Sequence, residues 1–325
     1  MKHWIRFCVI MVLAIPARGL AWNATGHMTV AMVAWKDLSP EVQRKVGEIL
    51  KTHPHYSQLL LERRPADVSE AEWAFLRASV WPDMVRPARP GIDRYRSPAV
   101  THYHKGSWHY VDIPFRVASS QPATRRASTR PAAAEESILT ALPANMKTLS
   151  DANAKMEDRA VALAWVEHLV GDLHQPLHAA TMYSERFPGG DKGGNDQMVR
   201  GNSGVTRLHA YWDDLMGTSE AYGAIAFLAD EVSTGANEQT KARQKEKSKW
   251  DVWAKESHDH AVALVYLDGE LKTALSRDWE DKKIKADDVP LLPPSYDQNA
   301  RALARQRILL AGKRLAEQVK EAIGE

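Results

Sequence analysis

Residues 168–178 read HLVGDLHQPLH, and this stretch constrains the chain more than any other. It sets three histidines and one aspartate within eleven residues, on a segment that otherwise has the pattern of a buried helix. Val161, Ala164, Trp165, Leu169 and Leu173 recur at core spacing, which predicts a helix over Asp158–Leu173. On that helix His168 and Asp172, four apart, share one face. Gln175-Pro176 ends the helix, because proline lacks the donor and restricts the residue before it. His178 lies beyond the break, free to turn back. An apolar core takes in titratable groups only where something pairs them. Here the pattern suggests a metal ion, with ordinary buried hydrogen bonding as the alternative.

Similar small groups recur along the chain. LHAYWDD sets His209 and Asp213 four apart. WPD ends at Asp83, and WHYVD sets His109 and Asp112 three apart. Each taken singly fits a cap, a turn or a buried hydrogen bond. Their joint occurrence needs another explanation, and the start of the chain sharpens it. Lys2 and Arg6 precede an apolar run from Phe7 to Ala17, followed by the small residues Gly19 and Ala21. Residues 1–21 are therefore expected to be a secretory signal, too short to span a membrane, and the exported protein to begin at Trp22. The single cysteine, Cys8, leaves with that leader. Metal ligands in the exported chain must then be His, Asp, Glu or backbone. A free α-amine at Trp22, with a pKa of about 7.7–8.0, can lose its proton to a metal. With its own carbonyl it forms a compact chelate, and WNATGH puts His27 five residues on.

With 325 residues and 44% hydrophobic content the chain can bury a sizeable core. Helical periodicity dominates. An apolar face starts over Val30–Leu38, and a second helix over Glu41–Leu50 follows Ser39-Pro40, a cap and a helix-starting proline. Leu303–Ile323 is a long amphipathic helix, and Trp108–Ile113 is the best short extended candidate. The expected fold class is all-α, mainly helical, with one domain over residues 22–325. Flexible loops are expected at Arg86–Thr101 and Ala118–Ala134, a Gly- and Asp-rich loop at Phe187–Gly204, and a solvated charge run at Asn237–Lys249. Removing the leader takes Lys2, Arg6 and Arg18, and no acid, from a net charge of +2, leaving −1. No global basic field argues for nucleic acid, so an anionic substrate must be held locally.

The ordered motifs resemble the zinc-dependent S-one/P-one nucleases, or type I nucleases, which share a mostly helical fold with bacterial zinc phospholipase C. The resemblance runs from Trp22-Asn23-Ala24-Thr25-Gly26-His27 through Trp81-Pro82-Asp83, Trp108-His109-Tyr110-Val111-Asp112 and His168–His178. It continues through Gly193-Gly194-Asn195, Leu208-His209-Ala210-Tyr211-Trp212-Asp213, Trp253-Ala254-Lys255-Glu256-Ser257 and Ala311-Gly312-Lys313-Arg314-Leu315-Ala316. It implies three zinc ions. One takes Asp83, His109, His168 and Asp172; a second takes the Trp22 amine and carbonyl, His27 and the bridging Asp172; the third takes His178, His209 and Asp213. His174 is not a ligand by this resemblance and reads as lying behind the ligands or at the surface.

Such a cluster suits phosphodiester hydrolysis, since close metals lower the pKa of a shared water and a further metal stabilises a departing 3′ oxygen. The resemblance implies an endonuclease acting on single-stranded DNA and RNA with 5′-phosphate products, and a 3′-nucleotidase action on nucleotides. Arg86 falls at the phosphate clamp, where a surface loop charge is the alternative, and Asp112 and Asn195 fall at base-contacting positions, where turn caps are the alternative. The protein is expected in the periplasm or outside the cell, as a monomer with no protein partner and no membrane attachment. Two departures stand out: Arg207 replaces the family's usual Asn, adding phosphate contact or altering the site, and the stretch from Arg86 to Lys105 is long and basic. The alternatives are a zinc phospholipase C, and an exported zinc-binding protein without catalysis.

Overall fold

The computed structural model describes residues 22–87, 101–117, 136–235 and 250–324. The leader, most of Arg86–Thr101, the Ala118–Ala134 segment and the charge run Asn237–Lys249 lie outside the described residues. Among those described, no helix is long and apolar enough to cross a membrane.

Helices come first because their ends are written into the sequence. Helix α1 (Ala24–Asp37) starts where the Asn23 side chain accepts from the Gly26 amide, so the apolar face read from Val30 begins a turn and a half earlier. Helix α2 (Pro40–Leu50) starts at Pro40, with Ser39 accepting from the Val42 amide. Helices α3 (Glu70–Ala78) and α4 (Trp81–Met84) follow, the latter carrying Asp83. Helix α5 (Ile138–Ser150) pairs with α6 (Met156–Leu173). From Ala162 to Leu173 every residue of α6 is buried, so it is the central helix of the bundle.

The C-terminal half adds α7 (Leu208–Asp213), α8 (Tyr222–Thr234), α9 (Trp250–His260), α10 (Ser276–Glu280) and α11 (Tyr296–Ile323). Helix α11 is longer than the Leu303–Ile323 pattern and lies along α1. Strand content is small. The pair β1 (Pro114–Arg116) and β2 (Thr181–Tyr183) is parallel, with Phe115 opposite Met182. The strands β3 (Gln197–Gly201), β4 (Gly204–Arg207) and β5 (Ala274–Leu275) form an antiparallel sheet in the order β4-β3-β5.

Two local expectations shift. Trp108–Ile113 is not the strand: Gly106–His109 is a 3-10 turn and the ladder begins at Pro114. The Val111 amide donates to the His178 carbonyl at 2.8 Å, so the chain before Pro114 is tethered to the turn after α6 rather than to a strand. The Phe187–Gly204 loop also contains β3, whose Met198 and Val199 are buried. The mainly helical fold class stands.

Helices α1 and α11 approach closely at Gly312, where a β-carbon would stand 2.5 Å from Val33 Cβ and 2.9 Å from the Val30 carbonyl. Alanine favours a helix over glycine by about 1 kcal/mol, but overpacking there costs about 1–3 kcal/mol. Gly312→Ala is therefore expected to destabilise. Gly223→Ala, where nothing lies within 4 Å, is expected to be neutral or stabilising. Denaturant unfolding of the two variants checks the opposite signs.

Candidate metal centre

The inward face of α6 presents His168 and Asp172, both wholly buried. Five elements bring further groups to them. Helix α1 supplies His27, whose ring stacks on His168 with centroids 4.0 Å apart. Gly171 makes room, since a β-carbon there would meet His27 Nδ1 at 2.8 Å. Helix α4 supplies Asp83, and the 3-10 turn supplies His109. The turn Pro176–Ala179 supplies His178, and α7 supplies His209 and Asp213.

These side chains fall into three groups, the donor atoms of each within 4.8 Å of one another: His27, Asp83 and His168; His109, His168 and Asp172, which shares His168 with the first; and His178, His209 and Asp213. His168 Nε2 and His109 Nδ1 stand 3.1 and 3.0 Å from Asp172 Oδ2 and 2.9 Å from each other. Asp83 Oδ1 is 3.8 Å from His168 Nε2 and 3.9 Å from His109 Nδ1. His27 Nε2 is 3.3 Å from Asp172 Oδ1 without completing a hydrogen bond. His178 Nδ1, 4.0 Å from Asp172 Oδ2, links the third group to the others.

Backbone carbonyls orient three of the rings. His168 Nδ1 donates to the Ser79 carbonyl at 2.8 Å, His178 Nδ1 to that of His109 at 2.6 Å, and His209 Nδ1 to that of Gly193 at 2.6 Å. A neutral imidazole has one N–H, so each Nε2 is left as an acceptor facing inward. His178 Nε2 and His209 Nε2 then oppose each other at 3.1 Å, and Asp213 Oδ2 lies 3.7 Å from the latter. Acceptors so placed repel unless a proton or a cation stands between them. Burial disfavours the proton: it lowers the pKa of both rings, with His178 as the next cause at His209 and its value near 3. Asp213, buried with Asp214 and Asp172 near, has its pKa raised well above the usual range, although Gln175 binds its other oxygen. Both ring nitrogens of His27, Nε2 of His109, Oδ1 of Asp172 and Oδ2 of Asp213 are buried without a hydrogen bond. A set of imidazole and carboxylate ligands with unfilled inward atoms fits a divalent metal such as zinc.

A cleft of about 570 Å³ opens over the centre, with His109, His178 and His209 on its floor and Arg86, Asp112, Asn195, Lys192, Arg207 and Glu280 among its walls. Arg86 Nη2 is 2.7 Å from Asp83 Oδ1. Asp112 Oδ1 accepts from Thr181 Oγ1 at 2.5 Å, and Asn195 Nδ2 donates to the Lys192 carbonyl at 3.0 Å. Each of the three thus makes a local bond while also lining the cleft. Arg207 is tied to the Asn195 carbonyl and to Glu280, so it braces the glycine loop against α10. Trp22 is wholly buried, and the adjacent Asn23 amide donates to the Asp213 carbonyl at 3.3 Å. His174 is buried, not at the surface, and belongs to none of the three groups.

The supporting roles of Gln175, Gly193 and Ser79 escaped the reading of the sequence. Gln175 binds Asp213 through Nε2 at 2.8 Å and receives the Leu177 amide at its Oε1. Its position inside an otherwise apolar, buried motif was the available signal. Gly193 and Ser79 act through their carbonyls, which no side-chain pattern announces. Gly193 also has φ +60, and a β-carbon would meet the Leu177 carbonyl at 2.4 Å, so only glycine fits beside His209.

A model of the S1/P1 nuclease family matches residues 22–324. Endonuclease 2 of Arabidopsis thaliana is 28% identical over 171 residues, 50% of this chain and 52% of that protein. Endonuclease 4 of the same plant is 23% identical over 227 residues, 66% of this chain and 62% of that protein. Nuclease P1 of Penicillium citrinum is 27% identical over 197 residues, 60% of this chain and 58% of that protein. The matches thus span about half to three-fifths of the length of these relatives.

Metal-free protein should be sensitive to mild acid. Burial first, then the Arg86 charge, lowers His109 to about 3, and His209 is also near 3. In the unfolded chain both titrate near 6.5. Between those values the unfolded state binds more protons, so stability falls as pH falls, by at most about 1.4 kcal/mol per pH unit for each ring. His27 and His178, also lowered by burial, act in the same direction. His168 opposes them. Burial works against its charged form, but Asp172 and Asp83 raise its pKa, so its contribution is present below 6.5 and lost as pH rises through the raised value. Asp213 and Glu167, whose carboxyls burial raises well above the usual range, oppose the lowered rings too, but His53 and His174 are also lowered by burial, so six lowered rings outnumber these three opposing groups. Chelator-treated protein should melt at progressively lower temperature from pH 6.5 to pH 5, whereas an unchanged melting temperature would show that the rings are not buried neutral.

Proposed function

The chain belongs to the S1/P1 nuclease family, and from that premise we propose that it is an exported zinc-dependent endonuclease. Its substrates in this reading are single-stranded DNA and RNA, its products carry 5′-phosphates, and it also acts as a 3′-nucleotidase. The observation that carries the reading is the set of inward-facing, acceptor-only His178 and His209 nitrogens beside buried Asp213, on the floor of a cleft wide enough for a nucleotide.

By the family resemblance, three zinc ions would be bound. Asp83, His109, His168 and Asp172 would hold one; Trp22, His27 and Asp172 would hold the second; His178, His209 and Asp213 would hold the third. Bound zinc supplies Lewis-acid chemistry, lowering the pKa of water and neutralising charge on a leaving oxygen. The chain does the rest. Asp172, its pKa held well below the usual range by His168 and His178 against the opposing effect of burial, stays a carboxylate and would serve two of the ions. Arg86 turns its fork from Asp83 toward phosphate oxygens entering the cleft. Asp112 offers an acceptor and Asn195 an amide to the edge of an unstacked base. A stacked duplex hides those edges, which is why single strands are favoured.

The catalytic domain is residues 22–325, acting as a monomer with no protein or membrane partner, in the periplasm or outside the cell. Removal of residues 1–21 frees the Trp22 amine as a ligand. An amide at that nitrogen, as in the unprocessed chain, is a poor one.

The test uses protein beginning at Trp22, incubated with single-stranded DNA, RNA and phosphatidylcholine, with and without a chelator. Release of 5′-nucleotides that chelation abolishes and zinc restores is expected. Diacylglycerol without nucleotides would assign a phospholipase C instead, and no turnover with zinc bound would assign a structural centre. In the same assay Arg86→Ala should lower kcat/KM by about 10²-fold, the scale of losing one donor to transition-state charge. A change below about threefold would remove Arg86 from the phosphate site.

A further inference from the structure

The carbonyls at the end of an α-helix have no partner within it. At the end of α6, the amides of His174 and Gln175 close the Gly171 and Asp172 carbonyls, and side chains reach the others. The Val170 carbonyl accepts from His174 Nδ1 at 2.7 Å, the Leu173 carbonyl from Ser257 Oγ at 2.5 Å, and the His174 carbonyl from Arg307 Nε at 3.2 Å. Behind them lies a buried charged network from α9 and α11. Arg307 Nη2 donates to Ser257 Oγ at 2.8 Å, and Arg314 Nη1 donates to His174 Nε2 at 2.9 Å. Glu256 receives both arginines: Arg307 Nη1 at 2.9 Å, and Arg314 Nη1 and Nη2 at 2.8 and 2.9 Å. The Arg314 guanidinium also lies over the Trp253 ring, 4.8 Å from its centroid.

We infer that Glu256, Ser257, Arg307 and Arg314 are positioning residues that fix the exit of α6 and thereby assemble the His178–His209–Asp213 group. The inference rests on the metal reading above. Packing alone does not call for this network, because buried ion pairs are costly to desolvate and an apolar filling often serves stability as well. What planar arginine forks add is direction. The chain leaves α6 at His174, and within four residues it must deliver Gln175 Nε2 to Asp213 and the His178 ring to His209. A tilt at His174 moves both. His209 and Asp213 ride on α7 and do not follow it. Asp172, the penultimate residue of the helix, is held from three other sides by His27, His109 and His168, which insulates it. The network therefore governs the third group more than the other two.

The experiment uses protein beginning at Trp22 as wild type, Glu256→Gln and Ser257→Ala. Val46→Ala, a wholly buried position on α2, is a destabilised control. Bound zinc per chain is counted after dialysis, affinities are read by competition with a chromophoric chelator, and folding is followed by circular dichroism and melting. The network variants should stay helical, keep two ions at wild-type affinity and bind the third about tenfold more weakly, the usual scale of a supporting-partner loss. The control should melt lower and keep all three at wild-type affinity. Equal retention of the third ion in network variants and control would overturn the inference. If Glu256→Gln does not fold, Ser257→Ala decides alone. Absence of zinc from wild type and control together would instead overturn the metal reading beneath it.

Discussion

Everything in this structure turns on the close approach of buried imidazole acceptors and carboxylates around one helix. His178 Nε2 and His209 Nε2 face each other at 3.1 Å with their protons committed elsewhere. His168, His109 and Asp172 crowd within 3.1 Å on the other side. Left to themselves such atoms repel or must take up protons that burial resists. Cations in their midst turn the same arrangement into an attractive one.

The rest of the fold supplies the counter-structure this crowding needs. Helix α6 is buried almost all round, so the sides of its inward residues are fixed by packing rather than by a solvent face. Carbonyls of Ser79, His109 and Gly193 set ring orientation from three different elements. Trp22 is folded into the core, and Asn23 ties it to the end of α7. Arg207, paired with the Asn195 carbonyl and Glu280, braces the Asn195 loop.

Much of this was legible in the sequence because the spacing of side chains on a helix is rigid. His168 with Asp172, and His209 with Asp213, had to share a face once their segments were helical. Ser39-Pro40 marked a helix start for local reasons. What stayed hidden depends on backbone or on distant segments. The Gly193 carbonyl, 16 residues from His209 in the chain, leaves no pattern. The Trp108–Ile113 stretch looked like a strand by composition, but its Val111 amide was taken by His178 and the ladder formed further on. His174 carries the same residue type as its neighbours in the motif, and only the positions of Arg307 and Arg314 on α11 decide that it looks away from the metal groups.

The most direct measurement is anomalous scattering across the zinc absorption edge, from crystals of protein that begins at Trp22. The account predicts three zinc peaks: one against Asp83, His109, His168 and Asp172, one against Trp22, His27 and Asp172, and one against His178, His209 and Asp213. An ordered cluster with no anomalous peak, its histidines bridged by shared protons or water, would contradict it.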